Sequence, residues 1–316
     1  HARALPTYPA LAGLAAARER VRQLHGEAAQ ALASCGWQDS PLAALAKAPR
    51  TTTQAPYFYR FKLGDIEATV VSDGVLSLGE PAPNLPNLTK EEIANLLTDN
   101  FLAPDNLALE QNALVINNGD RLVLFDTGMG ALKIFGPRTG RLLTSLKQAG
   151  IDPKDIDAVV ATHGHADHVG GIVDEKDTLL FPNAQIWISQ ADYDFWTDEG
   201  KLGTPMKDFI AHARKNLVPH RGRIQFFKDG QEFLPGVQAI ATPGHTVGHT
   251  MFMITSGGQS ICNIGDLTNH QILFTERPRT EYAYDTDAKQ AVATRIKMLD
   301  MLASNRIPML AYHFPW

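Results

Sequence analysis

The stretch ATHGHADHVGG, at residues 161–171, brings together four side chains that can bind a metal ion: His163, His165, Asp167 and His168. Neutral imidazole and carboxylate groups suit Zn, Fe, Mn or Co. Residues two apart in an extended segment point to the same side, so we expect His163 and His165 to face one ion. Asp167 and His168 follow on the next turn and indicate a second ion. The alternative for this stretch alone is a solvated polar loop.

Three further candidate ligands stand later in the chain, each where a predicted strand ends. His245 lies in TPGHTVGH (242–249), Asp266 in NIGD (263–266) and His313 in AYHF (311–314). Singly each is a weak signal; His245, for example, follows Pro-Gly, and a histidine there is usually a turn residue. Together they complete two ligand shells with few spares. Four other histidines are not predicted to be ligands: His212, His220, His249 and His270.

Strand-rich blocks alternate with helices twice, which indicates two similar halves. YFYRFKLG (57–64) and IEATVVSDG (66–74) are strands joined by Gly64-Asp65, a hairpin signal. TKEEIANLL (89–97) starts a helix with a capping box of Thr89 and Glu92. The predicted class is α/β or α+β, with each sheet covered by helices on one face. Residues 286–304 form a long helix, with these residues on one side: Ala288, Val292, Arg295, Leu299 and Leu302.

The composition is that of an ordinary globular protein, with 316 residues, 44% of them hydrophobic, and a net charge of −5. Without a basic run, nucleic acid is not expected as a partner. Apolar runs such as LVLF (122–125) are far short of a membrane span. Residues 1–56 predict an N-terminal helical extension and linker, either a flexible arm or a dimer contact. Residues 57–316 are the predicted catalytic domain.

The order T-H-x-H-x-D-H, a distant His in a Gly-His-Thr turn, Gly-Asp and a late His resembles the metallo-β-lactamase superfamily. The resemblance covers residues 57–316 and implies a four-layer αββα sandwich with its site at the strand edge between the halves. LVLFDTG (122–128) matches as well, which implies that Asp126 lies under the site and orients a ligand. Carried over by position, one metal site would use His163, His165 and His245. The other would use Asp167, His168 and His313, with Asp266 bridging both ions.

The resemblance implies two divalent ions, with Zn expected and Mn, Co or Fe as alternatives. The reaction would be hydrolysis, in which a metal-bridging hydroxide attacks a carbonyl or phosphoryl centre of a small molecule. Asp167 or Asp266 would receive a proton. These two carboxylates are therefore the candidate catalytic residues.

Shorter matches are similar to the methyl parathion hydrolases, a subfamily of organophosphate triesterases and relatives that cleave lactones and aryl esters. They include YFYRFKLGD (57–65), FGPRTGRL (135–142), YDFW (193–196) and HFP (313–315). The subfamily's aromatic pocket corresponds here to Phe135, Trp196 and Phe209, which would favour an aryl leaving group. The alternative is that these are ordinary core aromatics. The subfamily pattern continues past HFP, so we expect either a longer chain or a less firmly held His313.

Membership of this subfamily would also imply a homodimer and export to the periplasm or beyond. No signal peptide is visible, so a cytoplasmic location is the alternative. Three other functions stay open. The same ligands could serve an acyl-homoserine lactonase or a β-lactamase, and related folds include iron-dependent oxidoreductases. A non-catalytic metal-binding scaffold would be favoured only if a ligand were missing.

Overall fold

The computed structural model of this chain describes residues 57–315 and, before them, residues 19, 23, 24, 26–28 and 30–36. The chain divides into two compact units, His1–Ala55 and Pro56–Trp316. In the first unit, the described residues from 19 to 34 are helical, whereas the predicted linker at 48–56 lies outside the described residues. The roles predicted for residues 1–56 and 57–316 stay predictions.

The second unit is built from fourteen strands and six α-helices within its described residues. The strands are β1 Phe58–Leu63, β2 Ile66–Ser72, β3 Leu76–Ser77, β4 Ala108–Leu109, β5 Asn112–Asn117, β6 Leu122–Phe125, β7 Ala158–Val160, β8 Gln185–Ser189, β9 Ile224–Phe227, β10 Glu232–Leu234, β11 Val237–Ala241, β12 Thr250–Ser256, β13 Gln259–Asn263 and β14 Met309–Leu310. The helices are α1 Lys90–Asp99, α2 Leu142–Gln148, α3 Ala166–Val169, α4 Gln190–Thr197, α5 Lys207–Leu217 and α6 Ala288–Ser304.

Two large sheets organise this unit. The first has seven strands in the order β1-β2-β5-β6-β7-β8-β9, and the second has five in the order β10-β11-β12-β13-β14. Strands β1 and β2 pair antiparallel with Leu63 opposite Ile66, which confirms the predicted hairpin. Gly64 at its turn has a φ of 56°, a conformation that favours glycine. The pairs β6-β7 and β13-β14 are parallel.

The sheets face each other across a common core. Val70 and Phe125 of the first sheet share one apolar cluster with Phe252 of the second. Val71, one residue from Val70, belongs instead to the cluster on the outer face of the first sheet, as strand alternation requires. Leu146 of α2 packs on that outer face. On the outer face of the second sheet, Met298 and Leu302 of α6 do the same, so the predicted four-layer αββα sandwich is confirmed.

The elements add detail to the prediction. In α6 the fully buried residues are Ala291, Arg295, Met298 and Leu302. Ala288, Val292 and Leu299, predicted on one side with Arg295 and Leu302, are half-buried. The two-residue strands β3 and β4 were missed, because they pair only with each other across a long chain interval. The capping box of Thr89 and Glu92 at the start of α1 is confirmed. Among the described residues, no helix is long and apolar enough to cross a membrane.

Candidate metal centre

The seven candidate ligands all lie just beyond strand ends at one edge of the sandwich. His163, His165, Asp167 and His168 follow β7 of the first sheet, and the last two stand in the short helix α3. The others follow strands of the second sheet: His245 after β11, Asp266 after β13 and His313 after β14. Parallel neighbours end at the same edge of a sheet, so β13 and β14 bring Asp266 and His313 together.

Ligand-capable atoms converge in three groups, within each of which the atoms lie within 4.8 Å of one another. The groups are His163, His165 and His245; His163, His168 and Asp266; and Asp167, His168 and His313. Asp266 lies between His168 and His245. Its Oδ1 is 3.2 Å from His168 Nε2, and its Oδ2 is 3.3 Å from His245 Nε2. His313 Nε2 is 3.1 Å from the same Oδ2. The structure therefore brings all seven predicted residues together.

Three of the five histidine rings are held through Nδ1, the nitrogen that faces away from the centre of the cluster. His245 Nδ1 donates to Asp285 Oδ1 at 2.8 Å, and His313 Nδ1 donates to the carbonyl of Glu110 at 2.7 Å. His168 Nδ1 lies 3.0 Å from Asp126 Oδ2. An acceptor of this kind holds a proton on Nδ1, so Nε2 is the nitrogen that can bind a cation in exchange for its own proton.

Asp126 lies beneath the cluster, where the DTG motif predicts it. Its Oδ1 accepts hydrogen bonds from the backbone N–H of Thr162 at 2.8 Å and from the Thr162 hydroxyl at 3.1 Å. Thr162 precedes His163, and its hydroxyl is 3.0 Å from His163 Nδ1. Asp126 thus contacts the start of the ligand loop and the ring of His168.

Burial and the carboxylates divide the histidines into two kinds. Burial lowers the pKa of His163 and His165 well below the ordinary value of 6.5, and neighbouring histidines act in the same direction. Burial also disfavours charge on His245, but Asp266 and Asp285 more than offset it and raise its pKa to about 9. The pKa of His313 rises to about 10 for the same reason, through Asp266 and Asp167. The carboxylates therefore attract positive charge to the centre of the cluster.

The donor set fits divalent cations. His168 Nε2, His245 Nε2 and Asp266 Oδ1 are buried, yet none makes a hydrogen bond to a described residue. Buried polar atoms without partners are costly, and imidazole nitrogen with carboxylate oxygen is a donor set that Zn, Mn, Co and Fe accept. These residues could hold two ions, with the identity of the metal left open.

A cavity of about 330 Å³ opens on this cluster. Five of the seven candidate ligands line it, and the rest of the wall is largely apolar. Phe135, Trp196 and Phe209, predicted from the sequence as pocket residues, all belong to the lining. Trp196 is also almost fully buried and its ring lies 4.8 Å from that of His165, so it serves the core as well.

Three residues that contact the cluster were not identified as site residues from the sequence. Asp285 binds His245. Asp192 accepts hydrogen bonds from Gly164, in the loop after β7, and from Gly248, in the loop after β11. His249, not predicted as a ligand, accepts the backbone N–H of Asp266 through Nε2 at 3.0 Å. It therefore supports the Asp266 loop. No local motif marks these residues; only the fold brings them to the site.

Comparison with known proteins agrees with this architecture. The family described as "Metallo-beta-lactamase superfamily" matches residues 107–308. The solved structure of AidC, a dizinc quorum-quenching lactonase, has a TM-score of 0.77 and 31% identity, covering 82% of this chain and 91% of that one. The hydrolase AbOPH has a TM-score of 0.77 and 28% identity, covering 84% and 92%.

Curated relatives match over shorter regions. A metallo-beta-lactamase domain-containing protein of Xenopus laevis is 35% identical over 105 residues, which is 33% of this chain and only 34% of that protein. A probable metallo-hydrolase of Mycobacterium bovis is 23% identical over 222 residues, or 61% of this chain and 68% of that protein. The family match spans more than half of the chain, and the four-layer sandwich agrees with it. The chain belongs to the metallo-β-lactamase superfamily.

Proposed function

We propose that this protein is a dinuclear metal-dependent hydrolase that cleaves an ester-type bond in a small apolar molecule: an aryl ester, a lactone or an organophosphate triester. The observation that carries the proposal is the cavity of about 330 Å³, whose wall is largely apolar and includes five of the seven candidate ligands. Pockets with apolar walls and a few convergent polar groups are typical of small-molecule sites.

His163, His165 and His245 would hold one ion, and Asp167, His168 and His313 the other, with Asp266 shared. When bound, such a pair of ions supplies a nucleophile from water near neutral pH and stabilises negative charge on reacting oxygens. The chain contributes preorganisation, since Asp285, Asp126 and the Glu110 carbonyl already fix three of the rings. Zn is the proposed metal, with Mn, Co and Fe as alternatives.

Two carboxylates are proposed as proton acceptors. The side chain of Asp167 is 13% exposed and that of Asp266 3%, so Asp167 meets the cavity more openly. Burial disfavours charge on Asp167, but His168 and His313 more than offset it and lower its pKa to about 2. Asp167 is therefore ionised, as a metal ligand must be. Asp266 is more enclosed, which suits a shared ligand.

The aromatic wall supports the proposed substrate class. Phe135, Trp196 and Phe209 present flat apolar surfaces, which would bind an aryl or acyl group and keep water from it. The similarity to methyl parathion hydrolases forms part of this proposal. A second candidate function is acyl-homoserine lactonase, supported by AidC, which was solved with a product that is an N-acyl-L-homoserine. A largely apolar wall favours a β-lactam less, and an iron-dependent oxidoreductase is the remaining alternative.

Metal analysis joined to an activity panel tests the proposal. We expect two ions per chain and turnover of at least one among p-nitrophenyl esters, acyl-homoserine lactones and paraoxon, with nitrocefin as the β-lactam. Asp266→Ala should lose one ion and more than about 100-fold in kcat/KM, a loss of at least about 2.7 kcal/mol of transition-state stabilisation. The exposed Asp65→Ala is the control. Two ions and full rate in Asp266→Ala, or an iron redox signature without hydrolysis, would contradict it.

A further inference from the structure

One helix contacts both of the loops that carry the ligands of the first metal site. These loops, called here the first-site loops, are residues 163–165 with His163 and His165, and residues 245–249 with His245. The helix is α4, which begins after Ser189. Its residues Asp192 and Trp196 are four apart and so lie on the same side of the helix.

Asp192 binds the backbone of both first-site loops. Its Oδ2 accepts the N–H of Gly164 at 2.7 Å and the hydroxyl of Thr246 at 3.0 Å, and its Oδ1 accepts the N–H of Gly248 at 2.6 Å. The side chain is fully buried. An ionised carboxylate offers only acceptors, so it satisfies all three donors at once, whereas an amide would direct two N–H groups towards them.

The loops pack against α4 without room for a side chain. A Cβ on Gly164 would lie 2.4 Å from Cδ1 of Trp196, and a Cβ on Gly248 would lie 2.2 Å from Oγ of Ser189. Ser189 Oγ also donates to the carbonyl of Gly248 at 2.8 Å. Glycine at these two positions therefore allows each loop to reach the carboxylate of Asp192.

We propose that Asp192 is a positioning residue for the first metal site, because it fixes the separation between the loop of His163 and His165 and the loop of His245. The inference rests on the proposed function, since it assumes that these three histidines share an ion. The ligands proposed for the second ion alone, Asp167, His168 and His313, make none of the hydrogen bonds described for Asp192. Trp196, on the same helix, lines the cavity. Helix α4 therefore contacts both the first metal site and the wall of the proposed substrate pocket.

Titration of chelator-treated protein with Co²⁺, followed by visible absorption and calorimetry, tests this inference. Wild type should bind two ions, and His245→Ala and His313→Ala identify which binding step belongs to which site. In Asp192→Asn we expect the first-site ion to bind about 10–100-fold more weakly and the second-site ion to bind as in wild type. Gly248→Ala should weaken the same step. Thr246→Val removes a single donor and should weaken it about fivefold, which covers the case in which Asp192→Asn does not fold.

Asp73→Asn is the matched control. Asp73 is also a buried carboxylate with three backbone N–H donors, but these belong to Met129, Gly140 and Leu142, outside the first-site loops. It should lower the unfolding temperature without weakening the first-site step. If Asp192→Asn and Thr246→Val keep both wild-type affinities, whatever their unfolding temperature, the inference is wrong while the proposed function stands. Wild-type protein that binds no Co²⁺ would overturn both.

Discussion

At the residue scale, Asp285 gives the ring of His245 a defined orientation. The two are 2.8 Å apart, and the side chain of Asp285 is fully buried. Arg295 Nη2 lies 3.9 Å from the other oxygen of Asp285, while its guanidinium donates to the carbonyls of Leu267 and Thr280. Because Leu267 follows Asp266, this buried arginine connects the support of His245 to the loop of the proposed shared ligand.

Replacing Asp285 with Asn should therefore weaken metal binding by the His245 site. The amide still accepts from Nδ1, but it has no charge to make the imidazole more basic and leaves Arg295 without its carboxylate. We expect a loss of about 10–100-fold in metal affinity, measured by competition with a chelating dye. Asp287→Asn, two residues away at the start of α6, keeps its capping bond and is the control. Equal affinities in both variants would contradict the orienting role.

His270 predicts a pH dependence of stability. Its Nδ1 accepts the N–H groups of Ile272 and Leu273, at 3.1 and 3.3 Å, and burial lowers its pKa from 6.5 to about 4. The folded state thus disfavours the proton that the unfolded chain binds below pH 6.5, so this stability is present above 6.5 and is lost as the pH falls towards 4. Relative to His270→Asn, wild type should lose about 2 kcal/mol of unfolding free energy between pH 7 and pH 5.

Urea denaturation of both proteins at each pH measures that difference, since groups common to the two cancel. A difference that is constant across this range would show that His270 does not titrate in this way.

Individual residues also show the limit of prediction from sequence. The seven candidate ligands and Asp126 stand in recognisable motifs, whereas Asp192 and Asp285 act through contacts with residues tens of positions away, where no local pattern exists.

At the scale of elements, Asp73 ties the end of β2 to the segment before α2. Its oxygens accept the N–H groups of Met129, Gly140 and Leu142, at 2.8–2.9 Å. Gly128 approaches so closely that a Cβ would lie 2.2 Å from Cγ of Asp73, and its φ of 70° favours glycine. One carboxylate thus organises the loop that follows β6.

Asp73→Asn should lower the unfolding free energy by about 2–3 kcal/mol, because the amide turns N–H groups towards buried N–H donors. Equilibrium denaturation measures the loss. Asp65→Asn, in the exposed β1-β2 turn, should stay within about 0.5 kcal/mol of wild type. If both substitutions cost the same, the three hydrogen bonds do not organise this loop.

Local pattern predicted the elements that local physics determines. The Gly64-Asp65 hairpin and the Thr89 capping box depend on neighbouring residues and are as predicted. Strand β3 pairs with β4 some thirty residues later, and no local signal marks such short segments. The burial of Arg295 in α6 also depends on distant residues, because the carbonyls that accept its hydrogen bonds come from loops far away in the chain.

At the scale of the whole second unit, the candidate site exists only when both sheets are in place. The first sheet contributes the loop after β7, and the second contributes those after β11, β13 and β14. The resemblance of the motif order to the superfamily predicted that these loops would converge. The homodimer and the cellular location implied by the subfamily resemblance stay predictions, and mass measurement of the purified full chain in solution tests the first.

A cation that joins loops from two sheets should stabilise the whole unit. When the free ion concentration is about 100 times the Kd, binding to the folded chain raises the unfolding free energy by about 2.7 kcal/mol per site. For a unit of this size, removing the ions should lower the unfolding temperature by about 5–10 °C per site. Calorimetry with and without a chelator measures the shift, and Asp266→Ala, which lacks the proposed shared ligand, should respond less. If neither chelator nor added Zn²⁺ changes the unfolding temperature of wild type, the seven side chains converge without binding ions. The apolar cavity would then need another explanation than metal-dependent hydrolysis.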